Sequence, residues 1–321
     1  MRVLITRRLA IDPRPLLGPE AVIDQLEGER APVRELLLER ARESHALLSM
    51  VVDKIDAELL DQSPLLRIVA NHAVGVDNID VPACTARGVQ VTNTPDVLTD
   101  STADLTWTLL LAVARRLREG ERLLREGRFL GWTPTLLLGL ELNGATLGVH
   151  GFGRIGQAVA RRAAGFGMRV VFHSRSQVPQ ALAQSLHARQ VPFNELLASS
   201  DIISIHCPST PETLHAYGAR QFAAMKRGAI LINTARGPIV DEAALVAALE
   251  AGTLGGAGLD VFEREPLVNP ALLGRDDVVL LPHLGSATQA TRARMATLAL
   301  TDIARVLRGE RPLHPVNQPL P

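Results

Sequence analysis

What this sequence has little of narrows it first. It carries two cysteines, Cys84 and Cys207, in 321 residues. They form neither a CxxC nor a Cys/His spacing, so a disulfide framework and a zinc site are both excluded as expectations, and no metal is called for. A reducing cytoplasm is the expected setting. Charge of one sign is also missing: 34 basic residues stand against 34 acidic ones, leaving no broad field to hold nucleic acid or an anionic membrane. No apolar stretch is long enough to span a bilayer. The amino terminus, MRVLITRRLA, opens on a strand-like run without a cleavage-site pattern, so no signal peptide is expected. Lysine is reduced to Lys54 and Lys226, a bias toward arginine that carries no functional weight.

What is present is a regular alternation. Residues 1 to about 95 hold short apolar runs, RVLIT (2–6), ALLSMVV (46–52), RIVAN (67–71) and VQVTN (89–93), with helical patterns such as LDQSPLL and VPACTARG between the later ones. STADLTWTLLLAVARRL then reads as a helix, with Thr99, Asp100 and Ser101 offering oxygens to its free N–H groups. A second series follows: ATLGVHG (145–151), RVVFHS (169–174), DIISIHC (201–207), AILINT (229–234), GAGLDV (256–261) and VVLLPH (278–283). A last helical segment, ATQATRARMATLALTDIARVLRG, leads into the proline-rich tail PLHPVNQPLP. Alternating strands and helices predict an α/β chain with two Rossmann-like domains, doubly wound parallel sheets with a cleft between them.

GVHGFGRIGQAVARR places Gly151, Gly153 and Gly156 in a GxGxxG pattern after a strand and before a helix. The first glycine permits the tight turn, the second the approach of a pyrophosphate, and the third close helix–strand contact. A dinucleotide site is therefore expected. The next strand should end, roughly 20 residues on, in an acid for the ribose 2′-hydroxyl if NAD is the cofactor. It ends instead in His173, Ser174, Arg175 and Ser176. A hydroxyl and a guanidinium suit a 2′-phosphate, so NADP(H) is the preferred cofactor. The other reading, in which Arg175 is merely solvated and NAD(H) is used, stays open.

Ligands of open parallel sheets bind beyond the carboxyl ends of the strands. Three residues there form a chemically complete set. Arg236 follows AILINTA, Glu265 follows the strand ending at Asp260, and His283 closes VVLLPH. A cation for a carboxylate, a proton donor with a pKa near neutrality and an acid to orient it are what 2-keto acid reduction requires beside a hydride source. Taken singly, each has a bland alternative as a solvated or satisfied loop residue.

Over nearly its whole length the chain resembles the D-2-hydroxyacid dehydrogenase family. The matching stretches are NHAVGVDNID (71–80), PDVLTDSTADLTWTLLLAVARR (95–116), GVHGFGRIGQ (148–157), INTARGPIVDEAAL (232–245), GAGLDVFEREP (256–266) and LLPHLGSAT (280–288). Within it, the segments DNID and VLTDSTADL and the basic residue at the ribose position look most like glyoxylate/hydroxypyruvate reductases.

The resemblance implies that Arg236, Glu265 and His283 are the substrate arginine, the His-paired acid and the general acid/base, and that backbone at Val74 and Gly75 helps hold the substrate carboxylate. It implies cofactor contacts from Thr102, Arg154, Ile155, Thr234, Ala235, Asp260, His283 and Gly285, with Cys207 and Pro208 beneath the adenosine. It also implies a domain order: residues 1–98 plus 287–321 as a flavodoxin-like substrate-binding domain, and 99–286 as the dinucleotide-binding Rossmann domain. Relatives commonly pair as homodimers through the nucleotide domain, with an arm at about 118–145. By that analogy Trp132 reaches the partner's pocket; read from the residues alone it is a large aromatic in a loop. The alternatives are a relative acting on phosphoglycerate or a bulkier hydroxy acid, and a cofactor-sensing binding protein like the corepressors that share the fold.

Overall fold

In the computed structural model, residues 1–28 and 30–319 are described, so Leu320 and Pro321 of the expected tail lie outside the described residues. The chain divides into two compact units, residues 1–98 with 287–321 and residues 99–286.

In the first unit β1 (Arg2–Ile5), β2 (Val22–Gln25), β3 (Ala46–Ser49), β4 (Ile68–Asn71) and β5 (Gln90–Thr92) pair in the order β2-β1-β3-β4-β5, every pair parallel. Successive side chains of a strand point to opposite faces, and both faces here are covered. Leu4, Leu47, Val69 and Val91 build one core. Val3, Ile5, Leu48, Ile68 and Ala70 build the other, against Ala296, Ala299, Leu300 and Ile303 of the helix Gln289–Leu307. Burial on both sides is why these strands read as unbroken apolar runs.

The second unit holds β6 (Thr146–His150), β7 (Arg169–His173), β8 (Ala188–Gln190), β9 (Ile202–Ile205), β10 (Ala229–Asn233), β11 (Leu254–Leu259) and β12 (Val278–Leu280). They pair in the order β12-β11-β10-β9-β6-β7-β8, again all parallel. The helix Thr99–Ala114 crosses one face, and its Trp107 donates an indole hydrogen bond to the Val159 carbonyl of the helix Arg154–Ala163 at 3.1 Å. The helix closes on the sheet because β11 is LGGAGL: a Cβ at Gly256 would stand 2.6 Å from the Asp277 carbonyl oxygen and 2.7 Å from Val113 Cγ1.

Three features depart from the sequence reading. Strands β2 and β8 have no counterpart among the apolar runs. Both are edge strands, and their residues are half-buried or exposed, so neither needs a continuous apolar sequence. The helix expected to run through Leu117 stops at Ala114. Arg116 turns left-handed at φ 52°, a second helix spans Leu117–Arg125, and the Ala114 carbonyl receives the Leu140 N–H at 2.8 Å. A distant segment thus supplies the donor that the next helical turn would have given.

Gly256→Ala forces a Cβ into backbone that cannot step aside, and is expected to cost about 1–3 kcal/mol. Urea denaturation followed by circular dichroism measures it; an unchanged midpoint would mean that the helix and β12 yield freely.

Candidate active site

The carboxyl edge of the second unit's sheet gathers most of the residues singled out from sequence. Gly151 leaves β6 at φ 94°, and a Cβ there would meet the Cys207 nitrogen at 2.4 Å. A side chain at Gly156 would stand 2.1 Å from the Gly151 carbonyl oxygen. Protein packing therefore explains these two glycines. It does not explain Gly153, where an added Cβ meets no protein atom within 4 Å although the residue opens the helix Arg154–Ala163. Glycine is itself favoured at a helix N-cap, and the open space beside Gly153 at the helix N-terminus leaves room for an anionic ligand, so the loop fits a dinucleotide pyrophosphate. Arg154 is exposed and Ile155 half-buried at the head of that helix.

No carboxylate follows β7. Ser174 is half-buried and Arg175 exposed. Beneath the loop, His150 Nδ1 lies 3.1 Å from the Tyr217 hydroxyl and 3.8 Å from the Cys207 sulfur. Burial pushes the Cys207 thiol up to about 12, so this cysteine is a packing residue and not a nucleophile. Pro208 after it is exposed.

Arg236 follows β10 in extended conformation, φ −147° and ψ 140°. Asn233 fixes that stretch, donating from Nδ2 to the Arg236 carbonyl at 2.9 Å and accepting the Ala235 N–H at 3.0 Å. Thr234 is buried, its hydroxyl 2.9 Å from that of Thr106. After β11, the buried Asp260 accepts the N–H groups of Leu284 and Gly285 at 2.6 and 2.8 Å. A Cβ on Gly285 would lie 3.3 Å from Thr102, which brings Thr102, Asp260 and Gly285 together. His283, at φ 56°, donates its N–H to the Asp260 carbonyl at 2.9 Å.

Glu265 and His283 meet: Glu265 Oε2 is 3.0 Å from His283 Nδ1, and Oε1 accepts the Phe262 N–H at 3.0 Å. Burial by itself would raise the Glu265 pKa. The His283 hydrogen bond and charge, the Phe262 N–H and the charge of Arg236 together hold it below the usual glutamate value. Asp260 goes the other way, burial outweighing its N–H donors and the charge of His283. With Nδ1 committed to Glu265, no protein group among the described residues bonds His283 Nε2.

Sequence reasoning passed over a clamp beside these groups. Glu263 accepts the Glu242 N–H at 3.2 Å while Glu242 accepts the Glu263 N–H at 2.7 Å, and His215 Nε2 lies 3.1 Å from Glu263. This exchange ties the loop after β10 to the loop after β11. Its only sequence signal is a second acid two positions before Glu265.

In the first unit, Val74 is exposed and Gly75 half-buried in the loop after β4. The carbonyls of residues 73–76 are all taken by protein donors. The N–H groups of Val74 and Gly75 have no acceptor among the described residues. Trp132 is 81% exposed.

The sequence pattern of the D-isomer specific 2-hydroxyacid dehydrogenase, NAD binding domain, matches residues 107–285. The chain belongs to this family. It is 47% identical to a glyoxylate reductase of Thermococcus litoralis over 321 aligned residues, 99% of this chain and 97% of that one. Among solved structures the chain resembles a protein of Thermus thermophilus, with a TM-score of 0.91 and 46% identity over 99% of this chain and 100% of the other. It also resembles an NADPH-dependent glyoxylate/hydroxypyruvate reductase of Sinorhizobium meliloti, solved with NADP and malonate. There the TM-score is 0.83 and the identity 37%, over 98% of this chain and 96% of that one.

The chain also carries an acid-labile element in each unit. Burial, then a neighbouring Arg292 charge, lowers His72 to about 4, and burial, then His173, lowers His150 to about 4. Both rings stay neutral in the fold, whereas the unfolded chain takes up their protons near the ordinary value. Stability is therefore fully present above about pH 6.5 and falls toward pH 4 by roughly 1.4 kcal/mol per pH unit for each group. Urea midpoints at a series of pH values measure this, and His150→Phe should lessen the second unit's part of the slope, the rest coming from His206, which burial, then His150, lowers to about 3. An equal slope in that variant would show that His150 does not contribute.

Proposed function

We propose that the chain reduces a small 2-keto acid, glyoxylate or hydroxypyruvate, to the 2-hydroxy acid with NADPH. One observation carries the reading. Glu265, within the charge field of Arg236, pairs with His283 and leaves its Nε2 without a protein partner among the described residues, on the sheet edge that bears the glycine loop. In this reading residues 99–286 are the nucleotide domain, and residues 1–98 with 287–321 are the substrate domain.

When bound, the reduced nicotinamide supplies the hydride. Thr102, the loop from Gly151 to Gly156, Cys207, Pro208, Thr234, Ala235, Asp260 and Gly285 would hold the dinucleotide. Ser174 and Arg175 would take its 2′-phosphate, a charge-assisted contact that no carboxylate after β7 opposes. NADH is the runner-up, since the matched pattern is that of an NAD binding domain.

The protein's own part is positional and protonic. In the nucleotide domain Arg236 is the carboxylate-binding cation and turns the carbonyl; in the substrate domain the N–H groups of Val74 and Gly75 are the carboxylate donors. His283 carries a proton on Nε2 and donates it to the carbonyl oxygen as that oxygen becomes a hydroxyl. Glu265 accepts from Nδ1, which fixes the tautomer and stabilises the imidazolium. Asp260 holds the backbone of Leu284 and Gly285, so the ring cannot drift from its strand end. In the reverse direction neutral His283 is the base.

The arm after the helix Leu117–Arg125 exposes Leu130, Trp132 and Leu138 at 99, 81 and 65%. A second copy of the chain would cover them, which supports a homodimer with Trp132 in its interface. The two unpaired cysteines fit the cytoplasm.

Initial rates with NADPH and NADH against glyoxylate, hydroxypyruvate and pyruvate test the reading. Fast NADPH oxidation with the two polar acids is expected. His283→Ala should lower kcat about a hundredfold or more with NADPH affinity kept, and normal turnover in that variant would remove His283 from the chemistry. Arg175→Ala should raise KM for NADPH about tenfold and leave NADH unaffected; equal effects on both would favour NAD as the natural cofactor.

A further inference from the structure

The loop after β4 follows its strand through a polar network, anchored on a buried asparagine, with no counterpart in the chemistry above. Asn71 is fully buried. Its Oδ1 accepts from the Ser49 hydroxyl at 3.0 Å, and its Nδ2 donates to the Gly75 carbonyl at 2.7 Å and to Asn78 Oδ1 at 3.0 Å. Asn78 in turn donates to the carbonyls of Met50 and Asp53, both at 3.0 Å. Asp53, 2% exposed, accepts the Met50 N–H at 2.8 Å and the Thr6 hydroxyl. From the other side, Asn93 Nδ2 donates to the Val74 carbonyl at 2.8 Å, and the Thr94 N–H to the Ala73 carbonyl at 2.9 Å.

A trans peptide is planar, with its N–H opposed to its C=O. Whatever holds the carbonyl of one residue therefore aims the N–H of the next. Thr94 aims the Val74 N–H, Asn93 aims the Gly75 N–H, and Asn71 fixes the peptide on the far side of Gly75. Gly75 has no Cβ and is the residue whose backbone is least restrained by its own chemistry. The two asparagines clamp the peptides on both sides of it, one from inside the unit and one from its rim. Unpaired donors on a restrained backbone form an anion-binding concavity.

We propose that Asn71 and Asn93 are positioning residues for the substrate carboxylate. By holding the Val74 carbonyl, Asn93 fixes the direction of the Gly75 N–H; by holding the Gly75 carbonyl, Asn71 fixes the peptide that follows, so that Gly75 cannot turn between the two. The proposal rests on the assignment of Val74 and Gly75 as carboxylate donors. The buried Asn71 and the half-buried Asn78, which holds the main-chain carbonyls of Met50 and Asp53, give the clamp its rigidity, because the buried Asn71 amide would lose its partners if it turned.

The test uses the full chain, with glyoxylate as substrate and oxalate as a carboxylate probe competing with it. Asn93→Ala removes a rim donor, and Asn93→Asp keeps its shape while replacing the donor by an acceptor. Asn71→Asp does the same inside at equal size. Each should raise KM for glyoxylate and the oxalate inhibition constant together, about tenfold, with kcat within threefold and NADPH affinity within twofold of the unsubstituted chain. Unchanged constants in Asn93→Ala and Asn93→Asp overturn the proposal, as does a parallel loss of NADPH affinity, which would mark a merely structural role. The Asn93 variants decide alone if circular dichroism shows Asn71→Asp unfolded. A chain that is active with glyoxylate yet indifferent to these substitutions rejects the clamp and keeps the proposed reaction. An unsubstituted chain that neither reduces glyoxylate nor binds oxalate rejects both.

Discussion

Everything at the candidate site depends on one constraint, the uniform parallel direction of the strands. With β6, β9, β10, β11 and β12 all running the same way, every loop that leaves a carboxyl end leaves on the same edge. Residues far apart in sequence then need only short loops to meet. Hydrogen bonds between neighbouring loops set the spacing. The Glu242–Glu263 exchange ties the loop after β10 to that after β11, and Asp260 draws in the turn after β12 through Leu284 and Gly285. Register in the sheet thus becomes register among functional groups.

The two carboxylates of the β11 loop show how local surroundings divide labour between chemically similar groups. Asp260 is raised and Glu265 lowered, although burial pushes both upward. What differs is the partner. Glu265 faces an imidazole and lies within reach of a guanidinium, so its charged form is stabilised. Asp260 receives neutral N–H donors in a deeper place and acts as a strut for backbone. A carboxylate paired with an imidazole and one that holds a turn are separated by five positions in the chain and by opposite pKa shifts.

The interior of the fold was legible because a parallel sheet covered on both faces needs unbroken apolar strands, and RVLIT, RIVAN, DIISIHC and AILINT are such runs. The edge strands Val22–Gln25 and Ala188–Gln190 were not, since nothing forces an edge strand to be apolar throughout. Gly151 and Gly156 could be read from spacing because their tasks are local to one strand–turn–helix. The meeting of Glu265 with His283 was readable from their places just after neighbouring strands. The Asn71–Asn78–Asp53 network and the Glu263 clamp were not. Their partners are mostly backbone groups, and a sequence does not say which carbonyl an asparagine will find. The stop at Ala114 was hidden for the same reason, its capping donor arriving from Leu140.

The burial of both thiols has a practical consequence. Cys84 and Cys207 are enclosed, one in each unit, and burial pushes each up to about 12. At neutral pH almost none of either is thiolate, and neither is open to a reagent. A cysteine introduced on the surface would therefore be the only group to react with a maleimide. Such a label can be placed on either unit with both native cysteines left in place.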